Sequence, residues 1–291
     1  MKMWRKKVLE NGHQLFLHET PGNKGTIIAV HGLLGHHMQL GHYQRAFENQ
    51  YRMITYDLRG RGKSTNASFD TCINRHVEDL VYLIYALKIK SPILLGYSTG
   101  AYICLKAAAL IDGVSAVILL DGAAQTDEGQ KELILPSIVR LKNVYPSRLS
   151  YIEESRVNYE KLGIRWSEHM NRFVNYEIEK KGNYWTQRSN PNLIEQDFLS
   201  SFEYNIENIA PKINVPVMLI HAEGNVGNRP FYYESQFNKL KELIKDIQIV
   251  KSKANHFSLV FNRQIELEWK MLKFLNESKE KVNVSSSTNK K

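Results

Sequence analysis

Cysteine is nearly absent from this chain of 291 residues, which has only Cys72 and Cys104. Two thiols cannot build a disulfide framework, so a hydrophobic core has to hold the fold, and a reducing cytoplasm is the expected compartment. Long apolar runs are missing as well. The basic start, Met1 to Lys7, leads into Val8-Leu9-Glu10-Asn11-Gly12, so neither a signal-peptide core nor a membrane span is expected. Acidic residues are in deficit, 30 against 39 Lys and Arg, for a net charge of +9. The excess sits mostly at the ends: residues 1–7 hold four basic and no acidic side chains, and residues 276–291 hold four lysines against Glu277 and Glu280. A body so close to balance argues against a basic face for nucleic acid. No internal repeat is visible.

What is present reads as one large soluble domain carrying an insertion, with 43% hydrophobic and 24% charged residues. A hairpin pattern, Lys6 to Glu10 and Gln14 to His18 around Asn11-Gly12, opens the chain. Apolar runs of strand length follow at Gly25 to His31, Arg52 to Tyr56, Ile93 to Gly96, Val114 to Leu120, Val215 to Ile220 and Ile247 to Val250. Between them lie helical periods, one with Val77, Leu80, Val81, Ile84 and Leu87 on a single face and one with Phe261, Ile265, Trp269 and Leu272. Strand alternating with helix predicts an α/β fold, a mostly parallel sheet with helices on both faces, built from residues 1–122 and 209–275. Residues 123–208 show no convincing strand and are rich in aromatics; they read as a helical cap over the carboxyl edge of the sheet. Residues 276–291, rich in Ser, Asn and Lys, are expected to be disordered.

The chemistry centres on Gly96-Tyr97-Ser98-Thr99-Gly100, which follows an apolar run and precedes the small, unbroken helical stretch Ala101 to Leu110. Strand, sharp turn, helix is the setting that thrusts a serine hydroxyl above the sheet edge, with glycines two before and two after to clear the turn. His31-Gly32-Leu33-Leu34-Gly35 and Asp57-Leu58-Arg59-Gly60-Arg61-Gly62-Lys63-Ser64 precede it, and Asn255-His256-Phe257 lies between the last strand and the last helix. A phosphate-loop reading of Gly62-Lys63-Ser64 fails, because that motif needs glycine at position 57.

In these motifs and their order, over roughly 25–122 and 213–275, the chain resembles the α/β-hydrolase superfamily. The resemblance implies Ser98 as nucleophile, His256 as general base, and an oxyanion hole from the backbone N–H groups of Leu33 and Thr99. It implies no cofactor. The acid is where the chain departs from the pattern: the usual position, in a stretch like G-E-x-D after the seventh strand, reads Ala222-Glu223-Gly224-Asn225. Asp121, ending the sixth strand in Leu119-Leu120-Asp121-Gly122, is the carboxylate that some relatives, zearalenone lactonases among them, use instead. It is the expected acid, with Glu223 and an acid-free pair as the alternatives. His31, His36, His37 and His42 crowd one stretch, but no carboxylate or cysteine at ligand spacing accompanies them, so no metal is expected.

These readings together point to a serine hydrolase of a carboxylic ester, lactone or thioester of an apolar small molecule, with no nucleic-acid or membrane partner. Oligomeric state stays open. A ligand-binding or regulatory protein on the same scaffold is the rival, and Asn225 is its support.

Overall fold

The structure, a computed structural model, describes residues 3–8, 12–65 and 70–288. Strands β1 (Met3–Val8) and β2 (Gln14–Thr20) form the opening hairpin, with Val8 opposite Gln14. Gly12 supplies the positive φ of its turn (+83°), while Asn11 lies outside the described residues. Then β3 (Thr26–Val30), α1 (Gly41–Phe47), β4 (Arg52–Tyr56), α2 (Ile73–Ala86), β5 (Pro92–Tyr97), α3 (Thr99–Ala108) and β6 (Ala116–Leu120) alternate as the hydrophobic pattern requires.

Between β6 and the next long strand lie α4 (Glu128–Arg140), β7 (Val144–Tyr145), α5 (Arg148–Lys161), α6 (Glu168–Glu177), β8 (Ile178–Lys181), β9 (Tyr184–Gln187), α7 (Pro191–Ser200) and α8 (Ile206–Ile209). The chain returns through β10 (Val217–Val226), β11 (Arg229–Pro230), α9 (Asn238–Leu243), β12 (Ile247–Asn255), α10 (Ser258–Phe261) and α11 (Ile265–Thr288). The sheet order is β1-β2-β4-β3-β5-β6-β10-β12, parallel from β4 onward, with β11 folded back on β10 as a hairpin.

Successive residues of a buried strand point to opposite faces, so continuous apolar runs feed two cores at once. Ile28, Leu94 and Leu119 pack on one face with Val77, Leu80 and Ile84 of α2. Ile27, Leu95 and Leu120 pack on the other with Tyr43 and Phe47 of α1 and Met271 and Phe274 of α11. No described helix is long and apolar enough to cross a membrane.

Three expectations need correction. Residues 123–208 are not purely helical, because β7, β9 and β8 form a small antiparallel sheet. These strands are two to four residues long, and β8 is Ile-Glu-Lys-Lys, so no apolar alternation marked them. The last helix buries Leu267, Met271, Phe274 and Leu275, while Ile265 and Trp269 are exposed. Two stripes with helical period overlap there, and a break at Asn262–Gln264 takes Phe261 off the helix. Finally, α11 runs on to Thr288, through residues expected to be disordered. No Gly or Pro interrupts it, and Ser278 is buried with its hydroxyl donating to the carbonyl of Phe274 at 2.8 Å.

Candidate active site

Three loops at the carboxyl ends of β5, β6 and β12 meet above the sheet. At the first, Ser98 has φ +53° and ψ −119°, a conformation costly for a residue with a side chain and held only where neighbours over-determine it. They do so here by closeness: a Cβ on Gly96 would lie 2.2 Å from the carbonyl oxygen of Gly100, and one on Gly100 would lie 2.2 Å from that of Val30. Both glycines are therefore required by the turn. The Ser98 N–H donates to Leu120 O at 3.0 Å, which ties the turn to the neighbouring strand.

At the second loop Asp121 also has a positive φ, +44°, and Ala123 has +60°. The turn is packed against the first, since a Cβ on Gly122 would lie 2.4 Å from Ser98 O. Its carboxylate is fully buried, with Oδ1 accepting from Ala222 N at 3.0 Å and Oδ2 lying 2.7 Å from His256 Nδ1. At the third loop, Asn255 and Ser258 exchange hydrogen bonds (Asn255 N to Ser258 Oγ 2.9 Å, Ser258 N to Asn255 Oδ1 2.8 Å), and Tyr97 OH donates to His256 O at 2.9 Å. With Nδ1–H donating to Asp121, Nε2 of His256 carries the lone pair, and it lies 3.1 Å from Ser98 Oγ.

The loop after β3 is set by a chain of hydrogen bonds. His31 Nδ1 donates to Gly32 O at 2.7 Å, while His31 Nε2 accepts from Leu58 N at 3.0 Å, an arrangement open only to the neutral ring. Burial enforces that state, pushing its pKa down to about 3. The bond to Gly32 O fixes the plane of the peptide whose N–H belongs to Leu33. Neither Leu33 N nor Thr99 N donates to another group among the described residues. The guanidinium of Arg61 reaches Leu33 O at 3.3 Å, and Asp197 of α7 pairs with that guanidinium in a fully buried site.

Above Ser98 lies a cavity of about 20 Å³, room for a single water. Its walls come from Leu33, Thr99 and Tyr102 of the core, Gln130 and Ile134 of α4, Phe198 of α7, and Phe231 and Tyr232 after β11. None of its lining residues is charged. Of the aromatics in 123–208 only Phe198 reaches it; Tyr145 and Tyr151 meet edge-on, and Phe173 packs on Tyr159 and Phe261. Phe231 and Tyr232 carried no signal in the sequence, because they belong to no motif and arrive through the β10–β11 hairpin.

The other candidates fall elsewhere. Glu223 is exposed and paired with Lys251 at 3.0 Å, and Asn225 is exposed in the hairpin opposite Pro230. The histidine stretch does have a carboxylate beside it in space, correcting the reading along the chain: Asp57 comes from the end of β4 to form a buried group with His36 and His37. Its oxygens are already used by His37 N (2.9 Å), His37 Nδ1 (2.6 Å), Lys63 N (2.8 Å) and Tyr176 OH. His36 is likewise spent on Phe173 O and Met38 N. Hydrogen bonding thus engages Asp57, His36 and His37 Nδ1, while His37 Nε2 has no hydrogen-bond partner among the described residues.

Residues 25–262 match the model of a family described as having the alpha/beta hydrolase fold. The chain belongs to the α/β-hydrolase family. A Haemophilus influenzae protein provisionally named an esterase/lipase is 32% identical over 108 residues, 37% of either chain. Among solved structures, E-2-(acetamidomethylene)succinate hydrolase superposes with a TM-score of 0.83 at 16% identity, covering 95% of this chain and all of that one. A thermophilic esterase from Thermogutta terrifontis gives 0.68 at 17% identity, covering 96% and 99%. At such identities the likeness is one of fold, and the reaction has to be argued from the chain's own residues.

Proposed function

We propose that the chain is a serine hydrolase that cleaves a carboxylic ester, lactone or thioester through an acyl-enzyme. Ser98 attacks the carbonyl carbon as His256 Nε2 takes its proton, and the same proton goes to the leaving alkoxide or thiolate. Asp121 holds the ring and balances the imidazolium. The amides of Leu33 and Thr99 receive the oxyanion, and water attacks the acyl-enzyme to return the serine. One observation carries the reading: a buried line of contacts, Asp121 Oδ2 to His256 Nδ1 at 2.7 Å and His256 Nε2 to Ser98 Oγ at 3.1 Å, ending on a serine in a strained turn.

The substrate side is neutral. A dicarboxylic substrate of the kind named for the succinate hydrolase would bring anionic groups into a lining that holds no cation, a costly burial. An apolar acyl group with one carbonyl fits that lining better. A series of p-nitrophenyl esters, lactones and acyl thioesters tested on the wild type and on Ser98→Ala decides the matter, together with fluorophosphonate labelling. Label on Ser98 and turnover lost in the alanine variant are the expected results; an unlabelled Ser98 would refute the reading.

A further inference from the structure

Phe231 lies flat against the base. Its ring and that of His256 are 3.8 Å apart between centroids and inclined by only 10°, and Phe231 is 2% exposed. The other rings around His256 meet it differently, Phe257 edge-on at 5.3 Å and Tyr97 tilted at 5.0 Å. The backbone explains the placement: β10 turns back into β11 just past the position where the commoner acid would stand, and the chain leaving that hairpin delivers Phe231 over the imidazole.

An aromatic face carries negative quadrupolar charge, and a cation within about 6 Å of its centroid is attracted to it, most strongly when water is excluded. The base becomes such a cation only during the reaction, as imidazolium. We propose that Phe231 is a positioning residue acting through His256, stabilising the imidazolium that forms when Ser98 is deprotonated. The proposal rests on the hydrolase reading and adds a second source of charge stabilisation to Asp121, on the open face of the ring rather than at Nδ1. The gain appears in the transition state more than in the neutral ground state, so it speeds the chemical step.

Few other groups facing His256 could produce the same signature. Asp121 meets Nδ1 from the end of β6, and Ser98 meets Nε2 from the turn after β5. The phenols of Tyr97 and Tyr232 are raised well above their ordinary pKa by burial and stay neutral through the working range. Behind Tyr232, His221 is turned away, its Nε2 on Tyr232 O at 3.0 Å.

Phe231→Leu keeps the site apolar and removes the π face. Two changes of different kind should follow: kcat/KM on its plateau falls roughly three- to tenfold, and its acid limb moves down by about 0.5 to 1 pH unit, because the protonated base has lost a favourable contact. Phe231→Tyr should restore both. A merely structural loss would admit water, favour the charged ring and move the limb upward. The NMR titration of the His256 imidazole, assigned against His256→Gln, reads the same shift without any substrate. A wild type that neither turns over nor labels would therefore refute the hydrolase reading, while the NMR midpoint still decides on Phe231. If the leucine variant folds poorly, Phe231→Met supplies the comparison. A midpoint that stays put or rises overturns the proposal.

Discussion

Two buried carboxylate–imidazole pairs stand at the carboxyl ends of this sheet, Asp57–His37 after β4 and Asp121–His256 linking β6 to β12. Their bonds are nearly equal, 2.6 and 2.7 Å, and both carboxylates are fully buried. They differ in what surrounds the pair. Asp57 accepts from two backbone amides, from Tyr176 OH and from His37, and His37 Nε2 is buried without a hydrogen-bond partner among the described residues. Asp121 accepts from a single amide besides His256, and the far nitrogen of His256 faces a serine hydroxyl. On the proposed reading, a carboxylate–histidine pair is a clamp or a catalyst according to what the second ring nitrogen meets.

Removing His256 of the second pair, or the Ser98 hydroxyl that its far nitrogen faces, gives the largest effect. Ser98→Ala and His256→Ala should each lower kcat by roughly 10⁴- to 10⁶-fold, and the double variant should be hardly worse than either, since the residues act as a unit. His37→Ala should instead lower thermal stability and leave kcat of the folded protein within a few-fold. Losses at Ser98 and His256 that multiply would break the comparison.

Next come the carboxylates themselves. Asp121→Asn should cost about 10⁴-fold in kcat, through the lost counter-charge and the wrong tautomer. Asp57→Asn should cost stability, about 3–5 kcal/mol as for other broken buried pairs, with kcat little changed. Thermal melts beside esterase kinetics separate the two. Asn225→Ala should be silent, because its side chain is exposed in the hairpin.

How far this contrast was legible in the sequence depends on distance along the chain. Ser98 could be found because its turn is local: strand, two glycines and helix all lie between Pro92 and Ala108. Asp121 could be found as a strand-end carboxylate, since β6 is an uninterrupted apolar run beside β5. The Asp57 clamp could not, because Tyr176 comes from 119 positions away and His37 from 20, and no local pattern encodes such a meeting. The same holds for Phe231 over His256 and for Asp197 reaching Arg61 from α7.

Acid stability sharpens the comparison further. Burial alone would raise the Asp57 carboxyl, but the charge and hydrogen bonds of His37 hold it well below its ordinary value. At Asp197 burial is likewise outweighed, by His76 and Arg61, and the carboxyl sits at about 2. A carboxyl whose folded pKa is depressed stabilises the fold above its unfolded pKa and loses that contribution as pH falls through the folded one. The melting temperature should therefore drop between about pH 4 and pH 2, where Asp197 alone is worth on the order of 2 kcal/mol. Asp197→Asn, less stable at pH 7, should show a flatter acid profile; a slope equal to that of the wild type would remove this carboxylate from the account.

The smallest effect concerns the roof over His256 and Ser98. Ile134 of α4 reaches down into a cavity of about 20 Å³, too small for any acyl group, so a substrate has to displace part of that roof. Ile134→Ala removes atoms where the growing end of an acyl chain would go, at a stability cost of about 2–5 kcal/mol. One methylene more or less in an apolar pocket is worth about 1–3 kcal/mol of discrimination. Over a series of p-nitrophenyl esters, the best acyl chain should lengthen by one or two carbons, with the ratio of long to short kcat/KM rising roughly tenfold. Acetyl ester turnover should change least, since its acyl group is the shortest of the series. An unaltered chain-length profile in a folded Ile134→Ala variant would mean that the acyl group does not occupy the space beneath α4, and the neutral cavity would then accommodate the leaving group instead.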